Sequence, residues 1–245
     1  MSIKSLIKRK APASFLYMLK KAGFFRNYIP WPGRINRGDF HRKKPFSTVF
    51  GYDRGGPVDR YYIENFLKLN ASNIKGRVLE IGDNEYTLKF GGEAVTKSDI
   101  LHIDEKNAKA TFVGDLSNAP QLPDDSFDCI VLTQTLHLIY NYMDALKTCY
   151  RVLKPGGSIL LTVPGISPIA HDEWGDYWLW SFTKASLTRM MSELFPSDHV
   201  KINAYGNVLA AASFLYGVGL PEMKKEEMDY NDPHYPVIIT ALAIK

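Results

Sequence analysis

Five short runs of nearly unbroken apolar residues, four of them closing on a glycine, an acid or a proline, constrain this chain more than any other feature. They are Arg77 to Ile81 (RVLEI), Asp99 to Asp104 (DILHID), Ala110 to Val113 (ATFV), Asp128 to Leu132 (DCIVL) and Ser158 to Val163 (SILLTV). Strands this short, without the polar alternation of a half-solvated sheet, are what a parallel sheet covered on both faces requires. Helical spacing surrounds them. Val58 to Leu69 places Val58, Tyr61, Tyr62, Phe66, Leu67 and Leu69 on one stripe, and Tyr142 to Leu153 runs helically into the stop signal Lys154-Pro155-Gly156-Gly157. Further on, Thr183 to Phe195 and Val208 to Tyr216 read as helices. Val200 to Ala204 and Val237 to Ile244 read as strands, an antiparallel pair at the sheet edge. The expected class is α/β, a doubly wound sheet that is mostly parallel with an antiparallel C-terminal edge strand.

Charge divides the chain unevenly. Residues 1–44 hold twelve Lys or Arg against the single acid Asp39, a balance of +11, while the remainder holds eighteen bases against twenty-five acids. The basic character therefore belongs to an N-terminal arm, taken as residues 1–50, and residues 51–245 form the domain. Such an arm suits an anionic surface: a membrane leaflet, an acidic partner or a phosphorylated substrate. Leu6, Ile7, Phe15, Leu16, Met18, Leu19, Phe24 and Phe25 interleave with the bases, as in a peripheral amphipathic helix. A solvated extension is the plainer alternative. No apolar run is long enough to cross a bilayer, and the basic start lacks the features of a secretory signal. The two cysteines, Cys129 and Cys149, have no short spacing, so neither a disulfide framework nor a zinc site is expected. These features point to a cytoplasmic protein with peripheral contact to a membrane through the arm.

The strand ends carry the chemistry. Ligands of open α/β sheets bind outside the carboxyl ends of the strands. Here those ends read Val78-Leu79-Glu80-Ile81-Gly82, then Ile103-Asp104, then Gly114-Asp115-Leu116 and Leu122-Pro123-Asp124-Asp125-Ser126-Phe127-Asp128, followed by Arg151 to Gly157 (RVLKPGG). In that order the blocks VLEIG, GDL, LPDDSFD and RVLKPGG resemble the class I S-adenosylmethionine-dependent methyltransferases, over about a third of the chain. The resemblance implies a Rossmann-like methyltransferase sheet and S-adenosylmethionine as cofactor. FGYDRGGPVDRYYIENFL, LTQTLHLIY, WGDYW and YGNVLAAASFL further resemble a bacterial subgroup associated with glycosyltransferases. That likeness implies a glycan, sugar or other small-molecule acceptor methylated on oxygen.

The resemblance assigns the cofactor to Glu80, Gly82, Asp104, Asp115, Leu116, Thr133 and Gln134. Glu80 organises the methionine end of a cationic cofactor, or else holds its own turn together. Asp104 accepts from both ribose hydroxyls, with Asp99 as its rival if the strand ends earlier. Asp115 accepts from the adenine amino group beside the Leu116 N–H, unless it only caps a turn. Thr133 and Gln134 border the cofactor from below. The turn departs from the family pattern, because Gly82 is followed by Asp83, Asn84, Glu85 and Tyr86 rather than by further glycines. The same departure argues against a dinucleotide site.

For a hydroxyl acceptor the candidate bases are His171 and His137, with Asp172 and Asp176 nearby. Trp174, Tyr177, Trp178 and Trp180 supply aromatic faces for a sugar ring or for the core of a lid. No cluster of potential ligands calls for a metal. An acidic domain without a recognisable module argues against nucleic acid. A silent scaffold that keeps the fold is the competing reading, favoured by the glycine-poor turn.

Overall fold

The structure is a computed structural model that describes residues 11–24, 29, 32 and 35–245. It falls into two compact units that meet in sequence between Lys43 and Lys44. In the first, α1 (Ala13–Lys21) leaves Phe15 and Met18 exposed and buries Leu16. Leu6, Ile7 and Phe25, expected to share its amphipathic character, lie outside the described residues.

The second unit is built on a seven-stranded sheet of order β3-β2-β1-β4-β5-β7-β6. Its strands are β1 (Gly76–Ile81), β2 (Val95–His102), β3 (Phe112–Val113), β4 (Phe127–Thr133), β5 (Leu153–Pro164), β6 (Val200–Tyr205) and β7 (Ile238–Ile244). The first five are parallel, and β7 runs antiparallel to both β5 and β6. The C-terminal strands close the sheet in the expected sense, with β6 at the edge.

Alternation along each strand divides the core in two. Leu79, Ile130, Leu132, Ile159 and Leu161 face α3 (Tyr142–Val152) and α4 (Lys184–Ser192). Val78, Cys129, Val131 and Leu160 face α2 (Val58–Leu69), α5 (Val208–Leu215) and α6 (Lys225–Asp229). Both faces being covered is why the strands carry apolar residues at successive positions. Both cysteines are buried thiols, pushed up to about 12 by desolvation.

Two expectations change. Of the connections between consecutive parallel strands, only β4 to β5 carries an α-helix, α3. The β1–β2 connection is made of single turns at Thr87–Gly91 and Gly92–Ala94, and Leu116–Asn118 is the turn between β3 and β4. The stretch from Glu105 to Lys109 has no apolar stripe with which to dock a helix. Strand β2 also begins and ends earlier than its apolar run suggests. Its first residues extend past the buried region along β1, and Ile103 is exposed where the chain turns away. The first residues of β5, Lys154–Gly157, are clamped from the far end of the chain: Gly156, at φ +80, donates to the Lys245 carbonyl at 2.8 Å, and the Lys245 N–H returns to Gly157 at 2.9 Å.

Leu79 on the central strand is fully buried in the first of these layers. Leu79→Ala is expected to cost about 2–5 kcal/mol, measured by urea unfolding followed by circular dichroism.

Candidate active site

Glu80 sits near the carboxyl end of β1 with 3% of its surface exposed. Its carboxylate accepts from the backbone N–H groups of Thr87 at 2.7 Å and Tyr86 at 3.3 Å, where the β1–β2 connection turns helical. Burial pushes this carboxyl up to about 7, against the pull of those same hydrogen bonds. Glu80 therefore holds its turn through the backbone.

The glycine-poor turn survives by side-chain bonds. Gly82 takes φ +91, and a Cβ there would meet no atom within 4 Å. Asn107 Nδ2 donates to the Gly82 carbonyl at 2.9 Å, and Asn84 Nδ2 donates to Ser98 Oγ at 3.0 Å. Amide side chains do here what further glycines would do by backbone freedom, and the space beside Gly82 stays open.

Asp104 lies just beyond the end of β2, half-exposed, with Oδ1 accepting from the Lys106 N–H at 2.6 Å. Its rival Asp99 is fully buried in mid-strand opposite Leu79, ion-paired with Arg77 at 2.6 Å and Lys97 at 3.3 Å. The strand edge thus presents Asp104. Asp115 caps the Leu116–Asn118 turn by accepting from the Ser117 N–H at 2.8 Å, while the Leu116 side chain is buried in the core.

A cleft of about 350 Å³ opens at the carboxyl end of β4. Among the residues named from sequence, Thr133, Gln134, His137, Asp172, Trp174 and Trp178 line it. Glu80, Gly82, Asp104, Asp115 and Leu116 do not. Gln134 takes a left-handed φ of +45, with its N–H on the Thr162 carbonyl at 3.0 Å and Nε2 on Thr162 Oγ1 at 3.3 Å. Phe50, across the cleft, is left-handed as well at φ +60. Such conformations cost free energy and persist only where surrounding contacts hold them.

His137 is 1% exposed, and neither ring nitrogen has a hydrogen-bond partner among the described residues. Burial drives it down to about 3, so it is neutral. Its ring lies 4.3 Å from that of Trp178, which stacks on Phe50 at 5.7 Å. His171 is exposed and is not among the cleft-lining residues. Asp172 caps the turn Glu173–Tyr177 by accepting from the Trp174 N–H. Trp180 turns away to pack on Tyr142, which in turn packs on Phe182, beside the first core layer.

The remaining wall was not anticipated residue by residue. It comes from Tyr52, Pro57, Asp59, Arg60 and Ile63, before and within α2, together with Tyr86 and Phe214. Arg60 Nε donates to Tyr86 Oη at 3.2 Å, tying the start of α2 to the turn that Glu80 holds. Asp59 Oδ1 is shut off from solvent and has no partner among the described residues, although part of the residue reaches the cleft. Desolvation pushes its carboxyl up to about 6, while Arg60 and first-turn backbone N–H groups pull the other way. An Asp-Arg pair directly after Gly-Gly-Pro, at the opening of an otherwise aromatic helix, was the available signal.

Comparison with known proteins agrees with this architecture. Residues 70–161 match the family model described as a methyltransferase domain. The demethylmenaquinone methyltransferase of Listeria monocytogenes serotype 4a is 34% identical over 85 residues, 35% of this chain and 33% of that protein. The ubiquinone/menaquinone biosynthesis C-methyltransferase UbiE of Escherichia coli O1:K1 is 32% identical over 98 residues, 39% of this chain and 37% of its own length. The chain thus spans about a third of the length of these curated relatives. A SAM-dependent methyltransferase from Archaeoglobus fulgidus superposes with a TM-score of 0.51 at 15% identity, covering 76% of this chain and 94% of that one. The [4+2]-cyclase SpnF superposes with a TM-score of 0.50 at 15% identity, covering 76% and 80%. Residues 70–161 are thus similar to a methyltransferase domain, and the fold is the Rossmann-like one of the Archaeoglobus fulgidus protein.

Glu80 generates a pH prediction. A carboxyl held above its ordinary value favours the fold while protonated, so stability falls as pH rises from about 4.5 through about 7. In Glu80→Gln the loss of unfolding free energy between pH 5 and 7.5 should shrink by about 2 kcal/mol, measured by urea titration at each pH.

Proposed function

We propose that this protein is an S-adenosylmethionine-dependent methyltransferase that methylates a hydroxyl of a sugar, glycan or comparable small molecule. The observation that carries this reading is the cleft at the carboxyl end of β4, where Thr133, Gln134 and His137 meet a wall of Phe50, Tyr52, Trp174 and Trp178. It lies where open α/β sheets bind their ligands. Aromatic faces suit the CH-rich faces of a sugar ring and also attract a sulfonium.

The residues at the sheet edge fit the cofactor. In this reading Asp104 takes the ribose hydroxyls, and Asp115 with the Leu116 N–H takes the adenine. Gly82 leaves room for the chain between them, over a turn that Glu80 holds. Thr133 and Gln134 border the cofactor beside the cleft. When bound, the cofactor supplies a methyl group on a sulfur that is already a good leaving group. What remains for the protein is to orient the acceptor and exclude water. His137, neutral and without a partner, can give one hydrogen bond and accept one, which suits an orienting role better than that of a base. His171 would serve as the base only if its exposed segment closed over the acceptor. The basic arm would bring the domain to an anionic surface such as a membrane leaflet. Among the described residues no helix is long and apolar enough to cross one.

A second reading has support of its own. A [4+2]-cyclase shares this fold, and one fold hosts unrelated activities. A scaffold without methyl transfer is therefore the alternative. Calorimetric titration with S-adenosylmethionine and S-adenosylhomocysteine separates the two. Micromolar binding is expected, weakened about tenfold by Asp104→Ala, the loss of about 1.4 kcal/mol of hydrogen bonding. Absence of binding by the folded protein would leave the scaffold reading.

A further inference from the structure

Among the acids lining the cleft, Asp59 has one carboxylate oxygen without a hydrogen-bond partner among the described residues. Asp59 stands in the first turn of α2, the helix that forms one side of the cleft, opposite the end of β4 that supplies Thr133, Gln134 and His137. Its neighbour Arg60 is engaged elsewhere, with Nε on Tyr86 Oη and Nη2 near Glu85 at 3.4 Å. No ion pair reaches Asp59 among the described residues, and its Oδ1 accepts no hydrogen bond. A carboxylate withdrawn from water and left unpaired is costly unless a ligand brings the missing charge.

A sulfonium suits that carboxylate better than an ammonium does. It carries a full positive charge but no N–H, so it meets an anion by Coulomb attraction alone and needs no hydrogen-bond geometry. The wall beside Asp59 is aromatic, through Phe50, Tyr52 and Trp178, which also favours a poorly hydrated cation. The other titratable side chains lining the cleft are Tyr52, Arg60, Tyr86, His137 and Asp172. Of these Asp172 is the second acid, and its carboxylate already accepts from the Trp174 N–H. Building on the methyltransferase reading above, we infer that Asp59 is the carboxylate of the transfer site, set against the sulfonium end of the cofactor and the hydroxyl of the acceptor.

In that position Asp59 completes the proton balance of the reaction. The acceptor's hydroxyl proton passes to the Asp59 carboxylate as the hydroxyl oxygen forms its bond to the methyl carbon. The electron pair of the broken carbon–sulfur bond stays on sulfur as a neutral thioether. A cation and an anion enter, and neither remains, which a poorly solvated cleft favours over the same step in water. The protonated Asp59 then returns its proton to solvent when the products leave.

The test needs no knowledge of the acceptor, because S-adenosylmethionine carries the sulfonium and S-adenosylhomocysteine does not. A nearby sulfonium stabilises ionised Asp59 and lowers its pKa from about 6. Affinity for S-adenosylmethionine should therefore rise with pH while that for S-adenosylhomocysteine does not follow. A one-unit drop makes the affinity ratio rise about fivefold between pH 5 and 8, read by calorimetry on the full chain. Proton release on binding the sulfonium ligand alone, seen as heats that depend on the buffer, is the companion signal. Asp59→Asn should bind S-adenosylhomocysteine as the wild type does and show a flat ratio. Asp59→Glu, which keeps the carboxylate, should retain the rise and serves if the Asn variant fails to fold. A flat ratio in the wild type, or an unchanged rise in Asp59→Asn, overturns the assignment; the second result would pass the titration to Glu80. Failure of both ligands to bind folded wild-type protein instead removes the methyltransferase reading on which the inference stands.

Discussion

The site depends on one buried carboxylate. Glu80 takes the backbone N–H groups of Tyr86 and Thr87 and so folds the chain back over the end of the central strand. That places the Tyr86 hydroxyl where Arg60 can reach it, and Arg60 carries the first turn of α2 up against the cleft. A hydrogen bond to a charged group is stronger than one between neutral partners, and its worth grows away from water. The cost is a desolvated acid. The sheet core bears it because Glu80 sits on β1, held between β2 and β4.

Strain and unmet polarity collect around the cleft. Among the described residues, two of the three non-glycine positions with left-handed backbone, Phe50 and Gln134, line it, as do His137 and Asp59, each with buried polar atoms that lack partners. Elsewhere Asp128 is satisfied by Lys154 and the Arg77 N–H, and Asn207 by two carbonyls near α6, while Asp99 Oδ1, Thr87 Oγ1 and Thr240 Oγ1 are buried without hydrogen-bond partners among the described residues. At the cleft, a ligand able to hydrogen-bond and to carry charge would satisfy His137 and Asp59.

Much of the scaffold was legible because its signals are local. Val58 to Leu69 is helical over the limits that its apolar stripe gives. The apolar runs at β1, β4 and β5, and the glycine at φ +80 after α3, follow from periodicity and backbone freedom. The early end of β2 was not legible, since Ile103 and Asp104 continue the apolar-acid pattern and only their exposure at the sheet edge separates them from the strand. The missing helices between early strands were hidden for a related reason: a polar linker of suitable length fits either a turn or a poor helix.

The sequence by itself determined the class of fold, the order of the strand ends and the acids that stand on them, because short apolar runs and turn residues act within a few positions. Only the tertiary structure decided which of those residues share a cleft. It brought Asp59 and Arg60 from before β1 to the end of β4, separated Asp104 and Asp115 from that cleft, and left His171 on the surface. It also made His137 neutral and Asp59 unpaired. Burial and the company a side chain keeps depend on segments far apart in the chain, and a one-dimensional pattern does not carry that information.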